Sequence, residues 1–194
     1  MNRNNWKYAA TSPVGKGHDY DARCYAEVLK VVREKFGWDK APSNISMGVA
    51  AYYCHNTYAA QVLDLKLENG KLIIPRVCCS IDCGIVINPD AASNLAEGAI
   101  VDGIGNALFG SMTFKDGVAE KTNFHSYRMI RSSEAPKAID VHFVQNEFDP
   151  SGMGEPAFPP VFGALANALF KATGKRFYNQ PFGTALTAIS AGRG

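Results

Sequence analysis

The sequence of 194 residues has no apolar run near the ~20 residues that a membrane-spanning helix needs. Its opening, Met1-Asn2-Arg3-Asn4-Asn5-Trp6, is polar where a secretory signal turns apolar, so no such signal is expected. Charge of one sign is scarce. Lys+Arg total 20 against 18 Asp+Glu, a formal net charge of +2, and no stretch gathers basic residues on one face, so nucleic acid is not an expected partner. Cysteine is sparse and odd in number. Cys24, Cys54, Cys78, Cys79 and Cys83 have neither the paired spacing of a zinc site nor the density of a disulfide scaffold. They read as buried or half-buried free thiols, with a redox pair of Cys78 and Cys83 as the alternative. His18, His55, His125 and His142 show no ligand spacing and read as structural or surface residues, so no protein-held metal is expected. The remainder, 46% apolar and 20% charged, suits a chain that buries one core, or at most two small ones, without crosslinks.

Periodicity divides what is there. Tyr25, Val28, Leu29 and Val32 recur at three- and four-residue steps, which predicts an amphipathic helix over Asp19–Phe36 stopped by Gly37. Ala41-Pro42-Ser43-Asn44 reads as a linker. Strands are predicted over Ile45–His55, Tyr58–Glu68 and Lys71–Asp82, with Asn69-Gly70 as the hairpin turn between the last two. Their alternation predicts an antiparallel sheet with one buried face. Asp90–Phe109 is helical in pattern but interrupted by Gly98, Gly103 and Gly105. Glycine inside a helix costs ~1 kcal/mol, so three of them predict close approach of another backbone. Lys115-Asp116-Gly117 is a second hairpin turn, Ile139–Val144 a short strand, and Val161–Thr173 a closing helix stopped by Gly174. Segregated strands and helices favour an α+β fold, an antiparallel or mixed sheet with helices packed on it. Residues 1–194 are expected to form a single domain, with helix and linker over 1–44, a core over 45–182 and a loose tail over 183–194.

Three segments are candidates for chemistry. In Gly152-Met153-Gly154-Glu155-Pro156 the glycines let backbone pass close to a ligand, and Pro159-Pro160 preorganises a helix start. A carboxylate there serves either as a general base or as a solvated complement to the helix dipole. In Asp82-Cys83-Gly84 through Asn88-Pro89, Asp82 and Asn88 are expected to hold a turn by side-chain to backbone bonds. Asn123-Phe124-His125-Ser126-Tyr127-Arg128-Met129 reads as a cleft wall or a half-buried edge, on one strand or loop. Gly103-Ile104-Gly105 is not a dinucleotide fingerprint, since it lies inside a helical pattern and lacks the third glycine.

Read in order, these motifs carry a resemblance. They are Tyr58-Ala59-Ala60-Gln61-Val62, Cys78 to Gly84, Asn88-Pro89-Asp90, Glu97-Gly98, Asn123-Phe124-His125, Glu134-Ala135-Pro136, Gly152 to Pro156, and Ala166 to Arg176. The set resembles the C-terminal part of the large, molybdopterin-binding subunit of the xanthine dehydrogenase and aldehyde oxidase family, most of all its isoquinoline 1-oxidoreductase beta branch. Each motif is weak alone; the ordered set, from about Tyr8 to Phe182, is specific.

The resemblance implies a molybdenum cofactor-binding-domain fold and a molybdopterin dinucleotide carrying molybdenum. It implies oxidation of aldehydes or nitrogen heterocycles with water as the oxygen source, and an iron–sulfur small subunit as electron acceptor. It implies that Glu155 is the catalytic base and that Gly152 and Gly154 lie against the cofactor. Family large subunits are several times longer, so the upstream part of the large subunit is an expected partner. The chain alone is then expected to lack cofactor and activity, and to self-associate into a homo-oligomer through uncovered apolar surface. The family commonly places a cofactor-contacting Gln two residues before the Glu of the Glu-Gly pair, where this sequence has Leu95. Asn94 lies about 100° away around a helix and does not replace it. That departure favours the alternative, a non-catalytic remnant or interaction module that keeps the fold. Many relatives of this type are exported, and the sequence sets no compartment.

Overall fold

The computed structural model describes residues 20–68 and 71–191; the polar N-terminal segment, His18 and the Asn69-Gly70 turn lie outside them. The first helix, α1 (Ala22–Phe36), begins at Asp21, whose Oδ1 accepts the Arg23 N–H at 2.8 Å, and ends at Gly37 with φ +75°. The Asp21 N–H donates to the Tyr58 hydroxyl at 2.6 Å, which ties the helix start to the sheet. Val28, Val32 and Phe36 form its buried stripe.

The sheet follows as β1 (Ser46–Cys54), β2 (Thr57–Glu68), β3 (Lys71–Ile73) and β4 (Arg76–Asp82). β1 and β2 are antiparallel and joined by His55-Asn56, both at positive φ, the two-residue turn whose twist matches that of its strands. On either side of the predicted Asn69-Gly70 hairpin turn, Glu68 stands opposite Lys71. The predicted Lys71–Asp82 strand is broken at Ile74-Pro75, because Pro75 has no N–H to give a ladder. Pairing resumes at Arg76, whose N–H goes to the Asp64 carboxylate at 2.9 Å.

β4 pairs antiparallel with β2 and parallel with β7 (Ala138–Phe143), so the sheet is mixed, in the order β1-β2-β4-β7 with β3 beside β2. Its burial corrects the sequence expectation of one wet face. α1 covers one face over Met47, Tyr58, Ala60, Val62 and Cys78. The other is covered by α2 (Pro89–Phe109) and α3 (Pro159–Thr173), which pack Ile100, Ile104, Leu165 and Leu169 against Leu63, Val77 and Ile81. Each large aliphatic side chain so buried contributes about 1.5–3 kcal/mol. α3 comes closest at β1, where a Cβ on Gly48 would stand 2.0 Å from the Ala164 carbonyl oxygen.

Of the three α2 glycines, Gly103 lies under Val161 and the Phe158 carbonyl and Gly105 against Ile130, as close approach predicts, whereas Gly98 faces open space. Asp116 and Gly117, both at positive φ, turn the short hairpin of β5 (Phe114–Lys115) and β6 (Val118–Ala119). Phe182–Ala191 is a helix, α4, seated by the buried Phe182.

All five cysteines are free. Cys78 belongs to the α1-side cluster and Cys83 to the other, so the sheet stands between them and they are no redox pair. Burial pushes both thiols up to about 11, which suits inert packing.

Candidate active site at the end of the sheet

The chain between β7 and α3 crosses the end of the sheet where β4 stops and β1 turns into β2. Ser151 N–H donates to the Cys83 carbonyl at 2.9 Å, and Gly152 N–H to the His55 carbonyl at 3.0 Å. The Thr57 hydroxyl donates to the Gly152 carbonyl at 2.5 Å and lies 2.7 Å from the Ser151 hydroxyl. The Gln61 amide nitrogen donates to the Ala157 carbonyl at 2.5 Å. Between those anchors, the Glu155 carbonyl accepts the Phe158 N–H at 2.9 Å, a turn that delivers the chain into α3 at Pro159.

The Glu155 side chain is 74% exposed, with Oε2 4.0 Å from Nε2 of His55, itself 60% exposed. A pair this open adds little stability. Behind it, burial raises the Cys54 thiol above its ordinary range, and the Glu155 charge adds to the rise. α3 has no side-chain cap and no acidic residue in its first turn, so a carboxylate just upstream is the available complement to its positive end.

The two glycines of the motif differ. A Cβ on Gly152 would lie 2.4 Å from the Cβ of His55, so packing against the β1–β2 turn already accounts for this glycine. A Cβ on Gly154 would meet nothing within 4 Å.

The second candidate segment is structural in detail. Asn88 caps α2, accepting the Ala91 N–H at 3.1 Å as expected. Asp82 departs from expectation: it is buried and accepts from the Asn146 side chain at 2.6 Å rather than from backbone. Leu95 on α2 is 52% exposed, and Asn94 is exposed beside it.

The third segment is a turn in which Asn123 Oδ1 accepts the Phe124 N–H at 2.7 Å. Phe124 and His125 are exposed. Arg128 lines a cavity of about 640 Å³ together with Leu108, Phe109, Pro181, Gly183, Thr184 and Thr187. Its guanidinium lies 4.0 Å from the Phe109 ring and 2.5 Å from the Glu134 carboxylate. Glu155, Gly152 and Gly154 do not line that cavity. Among the described residues, no group of three or more His, Cys, Asp or Glu side chains is placed to hold a metal ion. None of their helices is long and apolar enough to cross a membrane.

A family model described as a molybdopterin cofactor-binding domain matches residues 7–136. The chain belongs to that family. The Gly152–Pro156 segment lies beyond the matched residues. Among similar proteins, the isoquinoline 1-oxidoreductase subunit beta of Brevundimonas diminuta is 29% identical over 170 residues, covering 84% of this chain and 22% of the relative. A membrane-bound aldehyde dehydrogenase of Gluconacetobacter polyoxogenes, named for pyrroloquinoline quinone, is 28% identical over 80% of this chain and 21% of its own length. The xanthine dehydrogenase molybdenum-binding subunit of Escherichia coli O157:H7 is 32% identical over 61% of this chain and 16% of its own. The chain thus spans about a fifth of the length of these relatives. Among solved structures, the aldehyde oxidoreductase from Desulfovibrio gigas superposes with a TM-score of 0.55 at 22% identity, over 71% of this chain and 17% of that one, a likeness of fold. The expected α+β cofactor-domain architecture is therefore the observed one.

The donor chemistry at the sheet end suits one part of a molybdopterin cofactor. Open space at Gly154 beside an exposed carboxylate admits the approach of a reacting centre. Among the described residues, His55 is the single potential cation within ion-pair range of Glu155, so the segment offers little to grip phosphates. Sequence reasoning singled out Glu155 but missed Thr57, Gln61 and His55, the residues that support its loop. Two polar side chains on a strand face otherwise made of Ala59, Leu63, Leu65 and Leu67 were the available signal.

Proposed function

We propose that this chain is the C-terminal part of the molybdopterin-binding large subunit of a molybdenum hydroxylase. The substrates are aldehydes or nitrogen heterocycles, water is the oxygen source, and electrons pass to an iron–sulfur small subunit. The supporting observation is Glu155 itself: an exposed carboxylate on a pinned turn, with clear space at Gly154, in a member of the cofactor-binding family. The family description favours molybdopterin over the quinone in one relative's name.

When bound, the cofactor supplies the two-electron oxidising centre. Gly154 leaves room for that centre to come near. Glu155 takes a proton from the water-derived oxygen nucleophile as it attacks the electron-poor substrate carbon. His55, its Nε2 4.0 Å from the carboxylate, is placed to steady it. The upstream part of the large subunit closes the site over Glu155 and provides the phosphate anchors.

The test is Glu155→Gln in the assembled oxidoreductase. Removing a general base lowers turnover by about 10²–10⁴-fold, and an exposed isosteric change leaves the melting temperature where it was. Retained turnover refutes the assignment. Molybdenum and pterin analysis of the complex checks the cofactor, and a quinone chromophore without molybdenum would overturn it.

A second reading, a non-catalytic module that keeps the fold, is favoured by one feature, the half-exposed Leu95 where the resemblance expects a cofactor-binding amide. A full assembly that holds no molybdenum would select it.

A further inference from the structure

We infer that Thr57 and Gln61 are the positioning residues of Glu155. The inference rests on the reading of Glu155 as the base. Both side chains are fully buried, on the same face of β2, and each bonds the loop that carries Glu155, Gln61 also donating a longer bond to the Cys79 sulfur at 3.6 Å. Thr57 holds the upstream leg through the Gly152 carbonyl and the Ser151 hydroxyl; Gln61 holds the downstream leg through the Ala157 carbonyl.

The spacing makes this a clamp. Four residues along a strand put the two anchors ~13 Å apart. The five peptide steps from Gly152 to Ala157 reach ~17 Å at most. The loop is therefore tied down at both ends of a short span, and Glu155 sits on the turn between them, its carbonyl accepting the Phe158 N–H. Simple stabilisation is a poor account of these residues, because apolar side chains would fill a strand interior at lower desolvation cost. Gln61 even leaves its Oε1 without a partner among the described residues while its nitrogen holds Ala157. Misplacing a reacting group by ~1 Å costs on the order of 10²-fold in rate, and a carboxylate in open solvent has no packing of its own to prevent that.

The experiment compares Thr57→Val, Gln61→Met and Thr57→Ser in the full chain and in the assembled oxidoreductase, with Glu155→Gln alongside. Hydrogen exchange of the 152–158 amides is read in the full chain; kcat and KM are read in the assembly. The valine and methionine variants are expected to raise exchange in that segment at least tenfold on the order expected for a released loop. They are expected to lower kcat on the order of 10²-fold while KM stays within about twofold. Thr57→Ser, which keeps the hydroxyl, restores both readouts and separates loss of the bond from loss of the fold. Unchanged exchange and kcat in Thr57→Val and Gln61→Met, with turnover lost in Glu155→Gln, overturn the clamp and leave the base standing. Exchange raised evenly over the whole sheet, with kcat and KM both altered, also overturns it. Turnover retained in Glu155→Gln instead removes the base reading, whatever the loop does.

Discussion

Gly48→Ala adds one methyl group at the place where α3 rests on β1. That carbon would stand 2.0 Å from the Ala164 carbonyl oxygen, 2.4 Å from the Ala168 nitrogen and 3.0 Å from the Ala168 Cβ. Two of the three are backbone atoms, which no rotamer change can move. To bring the first contact from 2.0 Å to an ordinary 3.4 Å, α3 must retreat by about 1.4 Å. A gap of 0.5–1 Å already forfeits a quarter to a half of the dispersion attraction across an interface, and Leu165 and Leu169 lie on the retreating face. Overpacking of this kind costs about 3 kcal/mol or more. At roughly 2–4 °C per kcal/mol for a chain of this size, the melting temperature falls by about 6–12 °C. Gly98→Ala is the internal control. Its Cβ meets nothing within 4 Å and it sits inside α2, so the same substitution gains about 0.5–1 kcal/mol of helix propensity. Thermal unfolding followed by circular dichroism reads both. A Gly48→Ala protein melting within 2 °C of the parent would refute the placement of α3 on β1.

Two smaller predictions concern α1 and the β7 edge. Arg76 bonds Asp140 at 2.6 Å, donates to the Lys35 and Phe36 carbonyls at 3.0 and 3.2 Å, and stacks over the Phe36 ring. Arg76→Leu frees the C-terminal end of α1 and is expected to cost about 1–2 kcal/mol in urea unfolding, more than Asp140→Asn, which leaves the carbonyl bonds in place. His142 is held below its ordinary value of 6.5, by burial first and then by the nearby Lys35, with Asp140 opposing. The folded state therefore binds this proton less readily than the unfolded one, so its contribution is complete above pH 6.5 and declines as pH falls through the lowered value. His142→Gln should flatten that acid-side slope in melting temperature against pH, and an identical slope in the variant would count against the assignment.

Helices and their ends were readable because their causes are local. Asp21 and Gly37 bracket α1, and Asn88 and Pro89 open α2, by side chains and dihedrals that act within a turn of where they sit. The sheet was readable in outline and wrong in its exposure. β2 is buried at seven successive positions, Thr57 to Leu63, and small residues such as Ala59 and Ala60 leave no alternation to mark two covered faces. The parallel partnership of β4 with β7 joins strands separated by a helix and a hairpin, and nothing in a six-residue strand records which neighbour it will find.

The candidate site shows the same division more sharply. Glu155 was visible because glycines and prolines announce an unusual backbone around it. Its supports were invisible because each bond spans the chain: Thr57 reaches Gly152 across 95 positions, and Gln61 reaches Ala157 across 96. Local patterns carry no trace of such distances. They do carry a weaker sign, the conflict between a buried strand and the polar residues in it. A fold tolerates a desolvated amide or hydroxyl when a partner answers it. Here both partners are carbonyls of one loop, and that loop presents a carboxylate to solvent. A polar residue out of place in the core of β2 was thus the sequence's own pointer to the segment it serves, and the same conflict at Ser80, buried without a partner among the described residues, marks where the α1 face departs from pure packing.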